Sequence, residues 1–411
     1  MASSPSQHAS AMHQTPAPFT RRTLLASAGA AALAGTGCTG PAPSAPAAAV
    51  PWERSGGGAW PPVPTLIGHR GASALRPEHT LASYAQAIAD GADCIEPDVV
   101  TTRDGVLVVR HENAIAILNA DGSVKEATTD VADRPAFAGR KTTKTIDGTA
   151  ITGWFTEDFT LAELQILRAR ERIPAVRPAN ARYDGQFSIP TLQQVIDLAR
   201  TESQQRGRTV GVYPETKHPT YFQSIGQPLE APLVALLEKN GLNHRDAPVF
   251  VQSFEVANLQ QLRSLTPVRL VQLVGASGRP YDFVARGAAE TRRYADLLTP
   301  EALRAMRRYA DVVAPYKTLV APVQAGRVGP ATPLVAGAHA AGLAVHIWTL
   351  RPENSFLPTA YQRAPVADGT ARGDGAGEID AYLRAGVDGF FTDDPAVGRA
   401  AIAAFLAARK G

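Results

Sequence analysis

Cys94-Ile95-Glu96-Pro97-Asp98-Val99-Val100-Thr101 and Val106-Leu107-Val108-Val109-Arg110-His111, joined by Thr102-Arg103-Asp104-Gly105, decide the fold. Both runs are apolar and rich in β-branched residues, as strands are. A four-residue connection is too short for a parallel crossover, so the second run must return antiparallel to the first. Asp104-Gly105 reads as a two-residue hairpin turn. Pairing outward from Arg103 and Val106 sets Asp98 opposite His111. Alternation along the first run puts Glu96 and Asp98 on one face.

Working outward, similar runs recur at 66–68, 210–215, 249–252, 269–274, 312–315, 345–349 and 389–392. Helical spacing fills most of the gaps. Leu81, Tyr84, Ala85 and Ile88 form one apolar face, with Thr80 as N-cap and Gly91 as stop; Leu192, Val195, Ile196 and Leu198 follow Thr191 in the same way. The returning arm of the hairpin adds a ninth run to eight that alternate with helices. Eight such repeats close a (β/α)₈ barrel of the TIM type. The stretch 113–188 breaks the rhythm and reads as an insertion at the barrel mouth. The barrel domain is expected over 65–411.

The chain has 411 residues, 45% of them hydrophobic, enough for a large core. Lys and Arg total 41 and Asp and Glu 38, a net charge of +3. That balance gives no electrostatic reason to bind nucleic acid. Two cysteines, Cys38 and Cys94, make neither a zinc site nor a disulfide framework. Residues 1–38 read as a twin-arginine export signal: Thr20-Arg21-Arg22-Thr23-Leu24-Leu25 leads into an apolar Ala/Gly-rich run ending near Cys38. The expected location is therefore periplasmic or extracellular. The one link to a membrane would be a lipid anchor at Cys38. Residues 39–64, rich in Pro, Ala and Gly, read as a flexible linker.

Residues at the C-terminal ends of barrel strands converge on one mouth. There the sequence offers Gly68-His69-Arg70-Gly71, Glu96-Pro97-Asp98, His111-Glu112 and Glu215-Thr216-Lys217. Three carboxylates, Glu96, Asp98 and Glu215, outnumber the one lysine beside them, so a divalent cation is their natural guest. All-oxygen ligation favours Ca²⁺ or Mg²⁺ over zinc. Arg70 can hydrogen-bond a phosphate held by that cation. His69 and His111 suit general acid and base roles, because imidazole titrates near neutrality. Trp348 ends a late strand and offers an apolar wall for substrate; Gln252 lies at the rim, and His218 and His346 read as structural.

These residues resemble the glycerophosphodiester phosphodiesterase family. The likeness rests on Gly68-His69-Arg70-Gly71-Ala72, Arg76-Pro77-Glu78-His79-Thr80-Leu81, Glu96-Pro97-Asp98, Thr102-Arg103-Asp104-Gly105, Val108-Val109-Arg110-His111 and Asp388-Gly389-Phe390-Phe391-Thr392-Asp393-Asp394-Pro395. Thr129-Asp130-Val131-Ala132-Asp133-Arg134, followed by Asp158-Phe159-Thr160-Leu161, resembles the long exported, periplasmic-type branch. The resemblance implies His69 and His111 as catalytic, Glu96, Asp98 and Glu215 as metal ligands, and Arg70 and Lys217 on the phosphate. It implies one divalent cation, Ca²⁺ ahead of Mg²⁺. It also implies cleavage of small glycerophosphodiesters such as glycerophosphocholine or glycerophosphoethanolamine to an alcohol and glycerol 3-phosphate. Attack by the substrate's own hydroxyl through a cyclic phosphate and attack by water both stay open. Glu112 departs from the family's usual Asp, and His79 from an Asn common there; His79 reads as a helix-start residue beside Thr80. Two alternatives remain: a related-barrel phospholipase acting on intact or lyso lipids, and a lipoprotein that binds phosphodiesters without cleaving them.

Overall fold

The computed structural model describes residues 60–410. The export signal, Cys38 and residues 39–59 of the linker lie outside the described residues. At the centre is a ring of eight parallel strands. In chain order they are Thr65–His69, Cys94–Glu96 continued as Asp98–Thr101, Gly211–Val212 continued as Glu215–Thr216, Phe250–Ser253, Arg269–Val274, Val312–Pro315, Ala344–Leu350 and Gly389–Thr392. Each pairs with the next, and the first pairs with the last, Gly68 beside Thr392, so the barrel is closed.

Proline breaks the second and third strands at the same level. Pro97 and Pro214 have no N–H to give to a ladder. The ladder between the two strands nevertheless runs through the breaks. The N–H groups of Gly211, Tyr213, Glu215 and Lys217 donate to the carbonyls of Asp93, Ile95, Pro97 and Val99 at 2.8, 2.9, 3.0 and 3.1 Å. Glu215 thereby lands beside Asp98 in register, so the topology itself assembles two of the three carboxylates.

Inside the ring, Ile67, Cys94, Tyr213, Phe250, Val271 and Phe391 form one apolar cluster. Cys94 is a buried free thiol within it. Trp60 joins the cluster, against Gly211, where an added Cβ would fall 2.4 Å from its ring; only glycine admits it there. A second, larger cluster lies between the strands and the surrounding helices. The Leu81–Ala89 helix is capped by Thr80, whose side chain accepts from Ser83 N. The Leu192–Arg206 helix starts on a reciprocal Thr191–Gln194 capping box. No described helix is long and apolar enough to cross a membrane.

The hairpin forms, with a register that differs by one residue from the sequence expectation. Val99 pairs Val109 and Thr101 pairs Leu107, so Asp98 faces Arg110 rather than His111. The cause is Thr102. Its N–H donates to the Val106 carbonyl and its Oγ1 accepts from Val106 N, which encloses three residues, Arg103-Asp104-Gly105. Gly105 takes the left-handed conformation (φ +78°) that such a three-residue loop requires. His111 lies beyond the last paired residue and is free of the pleat.

Residues 113–188 contain a four-stranded antiparallel sheet ordered Val124–Ala127, Ala114–Leu118, Thr149–Phe155, Thr142–Ile146, followed by a short helix and an irregular segment. Trp154, Phe155, Phe159 and Phe137 anchor it, with the Trp154 indole N–H donating to the Phe137 carbonyl at 2.8 Å. The irregular segment that follows reaches the mouth through Arg172, which pairs with Glu78, and Arg177, which pairs with Glu353.

Candidate active site at the barrel mouth

Glu96, Asp98 and Glu215 are all buried, and each offers an oxygen within 4.8 Å of the others. Glu96 is fixed by two donors: the Arg70 backbone N–H at 2.9 Å and the Gln252 side chain at 2.7 Å. Asp98 Oδ2 meets His79 Nε2 at 2.9 Å, while its Oδ1 is buried with no hydrogen-bond partner. Glu215 accepts from Lys217 Nζ at 2.9 Å. Burial pushes Glu215 up to about 7, opposed by Lys217 and helped by the Asp98 charge. Burial, then Asp98 and Glu215, hold Glu96 well above its ordinary range. Three buried carboxylates that resist ionising together, one with a bare oxygen, fit a divalent cation by geometry and by charge.

Both imidazoles stand on carboxylates. His69 Nδ1 lies 2.5 Å from Asp393 Oδ1, and its Nε2 lies 4.0 Å from Glu96. Asp393 is held on its other oxygen by Arg177 at 2.5 Å and Arg351 at 3.0 Å. His111 Nδ1 lies 2.8 Å from Glu112, and its Nε2 lies 3.4 Å from Lys217 Nζ. Burial lowers the His69 pKa to about 3, outweighing the Asp393 charge. Burial, with the charges of Arg70 and Lys217, likewise drives His111 well below its usual value. Both rings are therefore neutral at neutral pH, with the carboxylate on Nδ1 fixing the tautomer and directing Nε2 away from it.

Arg70 sits in the left-handed region (φ +58°), which turns its backbone N–H onto Glu96 and its guanidinium onto Glu78 at 3.0 Å. Its Nε is buried without a hydrogen-bond partner. A cavity of about 80 Å³ gathers His69, Arg70, Glu96, His111, Glu215 and Lys217 under a wall that includes Trp348 and Phe254. Of the eight residues singled out from sequence, only Asp98 does not line it. Asp98 lies behind, against Glu215 in register.

Sequence reasoning missed several supports. His79 is not the helix cap; its fully buried ring bridges the Tyr84 hydroxyl at 2.7 Å and Asp98, and so orients a ligand carboxylate. Gln252 is not merely at the rim but grips Glu96. Asp393 follows the last strand, the place where the barrel rule puts functional groups, and that signal was available. Arg177 carries none, because it lies in the aperiodic stretch.

A closed (β/α)₈ barrel that gathers a carboxylate trio, two imidazoles and a guanidinium at its C-terminal mouth has the layout of a phosphoester hydrolase. A sequence profile described as the glycerophosphoryl diester phosphodiesterase family matches residues 69–397. Arabidopsis thaliana glycerophosphodiester phosphodiesterase GDPD6 is 33% identical over 343 residues, covering 80% of this chain and 83% of the relative. The Treponema pallidum glycerophosphodiester phosphodiesterase is 28% identical over 313 residues, covering 70% and 81%. The crystal structure of a Silicibacter pomeroyi protein described as a glycerophosphoryl diester phosphodiesterase superposes with a TM-score of 0.55 at 23% identity, covering 84% of this chain and 95% of that one. The chain belongs to the glycerophosphodiester phosphodiesterase family, and its activity is that of a phosphoric diester hydrolase.

Proposed function

We propose that this enzyme hydrolyses small glycerophosphodiesters, such as glycerophosphocholine and glycerophosphoethanolamine, to an alcohol and glycerol 3-phosphate, using one divalent cation, Ca²⁺ ahead of Mg²⁺. The observation that carries the reading is the buried trio with its unpartnered Asp98 oxygen, flanked by two neutral imidazoles. A spread within 4.8 Å is inside the roughly 5 Å that two oxygens across a calcium ion span. The cation, held by Glu96, Asp98 and Glu215, would supply Lewis-acid stabilisation of the phosphoryl oxygens. Arg70 and Lys217 bring positive charge to the same phosphate. Of His69 and His111, one takes the proton of the attacking hydroxyl at its bare Nε2; the other gives a proton to the departing alcohol only as the imidazolium, after it has taken up a proton at Nε2 from solvent. An Oleispira antarctica phosphodiesterase with a TM-score of 0.50 was solved with sn-glycerol-3-phosphate bound, which supports that product as a ligand of this barrel type. We also place the enzyme outside the cytoplasm, on the strength of Arg21-Arg22 and the apolar run after it.

The deciding experiment is release of glycerol 3-phosphate, followed by a coupled dehydrogenase. Turnover should vanish with EDTA, return with Ca²⁺, and fall by several orders of magnitude in His69→Ala and His111→Ala. Undiminished turnover in either variant removes that imidazole from the chemistry. Phosphorus NMR that shows a transient cyclic glycerol phosphate selects attack by the substrate hydroxyl over direct attack by water.

A further inference from the structure

We propose that Asp147 and His218 are positioning residues that set the His111 imidazole through Glu112. This rests on the reading of His111 as an acid/base group. Four side chains form one line into the mouth. His111 Nδ1 is 2.8 Å from Glu112 Oε1; Glu112 Oε2 is 2.6 Å from His218 Nε2; His218 Nδ1 is 2.7 Å from Asp147 Oδ2.

The arrangement solves a local problem. Glu112 adjoins His111 in the chain, and its side chain is 30% exposed, so alone it would sample many rotamers and release the ring. His218 stands between two carboxylates and so donates from both ring nitrogens. Burial would lower its pKa, but the hydrogen bonds to Asp147 and Glu112 outweigh this and raise it to about 9. Against burial, His111 and then the His218 hydrogen bond hold Glu112 well below the ordinary carboxylate range, so it stays ionised, with His218 pinning its second oxygen. Other charges facing this line are Arg70, Lys217 and Glu78 at His111, Glu126 at Glu112, and Glu255 beyond Asp147.

Backbone geometry serves the same end. His218 adopts φ +48° at the start of the Pro219–Ser224 helix, a conformation uncommon for a bulky side chain. Asp147-Gly148, with φ +46° and +78°, is the two-residue turn of the Thr142–Ile146 and Thr149–Phe155 hairpin, and its tip carries the carboxylate to His218. The stretch 113–188 that supplies Asp147 also supplies Arg177 to Asp393, the partner of His69. One segment thus holds the outer end of both imidazole supports.

The test is a double-mutant cycle on the full chain with Ca²⁺ present. Asp147→Asn preserves the turn, since Asn-Gly suits it at least as well, so folding is retained. It should lower kcat on the order of tenfold, the scale of coupled neighbours, with KM nearly unchanged and a lower melting temperature, because the His218 cation loses one of its two charged partners. In a His111→Asn background, assayed with a p-nitrophenyl diester to keep turnover measurable, Asp147→Asn should have no further effect. His218→Gln, which keeps one amide donor toward Glu112, should recover part of what His218→Ala loses. Ring-nitrogen NMR should show the His111 signal shift in Asp147→Asn. An equal loss in both backgrounds, or a change in melting alone, overturns the proposal. If His111→Asn itself leaves kcat intact, the acid/base reading fails instead.

Discussion

His69 Nδ1 and Asp393 Oδ1 lie 2.5 Å apart across 324 residues of chain. Barrel closure makes this contact: the first strand pairs with the last, and both residues stand just where those strands end at the mouth. Asp393 stays ionised well below the ordinary carboxylate range, since Arg177, His69 and Arg351 outweigh its burial. It therefore fixes the ring without competing for its proton.

Asp393→Asn should leave the fold intact and misorient that imidazole. We expect kcat to fall on the order of 10²-fold or more, the scale of a lost general acid or base, while KM stays close to wild type. Asp393→Ala should behave differently. It leaves Arg177 and Arg351 without the amide oxygen that Asn still offers them, and losing one partner of such a buried pair outright costs about 3–5 kcal/mol. Urea denaturation separates the two variants; equal stabilities would show that Asp393 is not the anchor of these arginines.

Asp98→Asn bears on the cation. In the metal-free protein the trio is self-repelling, so wild type should gain several degrees in melting temperature on adding Ca²⁺, by mass action on the folded state. The Asn variant should lose most of that gain together with its activity. Its metal-free melting temperature should equal or exceed the wild type's, because one buried charge is gone. A calcium-induced shift of undiminished size in Asp98→Asn would exclude Asp98 as a ligand.

The barrel was legible because its strands are buried on both faces and read as unbroken apolar runs; 269–274, 312–315 and 389–392 match the observed strands to the residue. The trio and both histidines were legible because strand ends converge. Register was not: a single hydroxyl, that of Thr102, lengthened the turn and rotated the pairing by one. His111 still reaches the mouth, since it lies past the ladder. Asp393 and Asp394 are adjacent and indistinguishable by type, yet one holds His69 and the other caps the Pro395–Ala408 helix through Val397 N. Asp147 and Arg177 were beyond reach, because only tertiary packing brings an aperiodic stretch back over the barrel.

His218 should leave a signature in stability against pH. Its pKa is raised from 6.5 to about 9 by the Asp147 and Glu112 hydrogen bonds, which exceed the burial penalty. A raised pKa stabilises the fold fully below the unfolded value and loses that contribution as pH climbs through the folded one. The shift corresponds to roughly 3 kcal/mol, present at pH 6 and declining between about pH 6.5 and 9. His218→Gln should flatten that decline in chemical denaturation curves. A wild-type slope that persists unchanged in the variant would assign the titration elsewhere.

Trp348 separates binding from chemistry. Its indole N–H donates to the Ala314 carbonyl at 2.9 Å, and its ring packs edge-on against Phe254 and Tyr316 at 5.5 and 5.0 Å. The ring is thus held rigidly as a wall of the cavity that contains both imidazoles, and it touches no charged group of the trio in any hydrogen bond. A wall of this kind contacts the substrate's carbon skeleton equally in ground and transition states, so its loss should appear in KM. We expect Trp348→Leu to raise KM about tenfold, which is about 1.4 kcal/mol of binding, with kcat within a few-fold of wild type. A fall in kcat at constant KM would mean instead that the indole acts on the reacting centre, through the placement of His69 or Arg70 beside it.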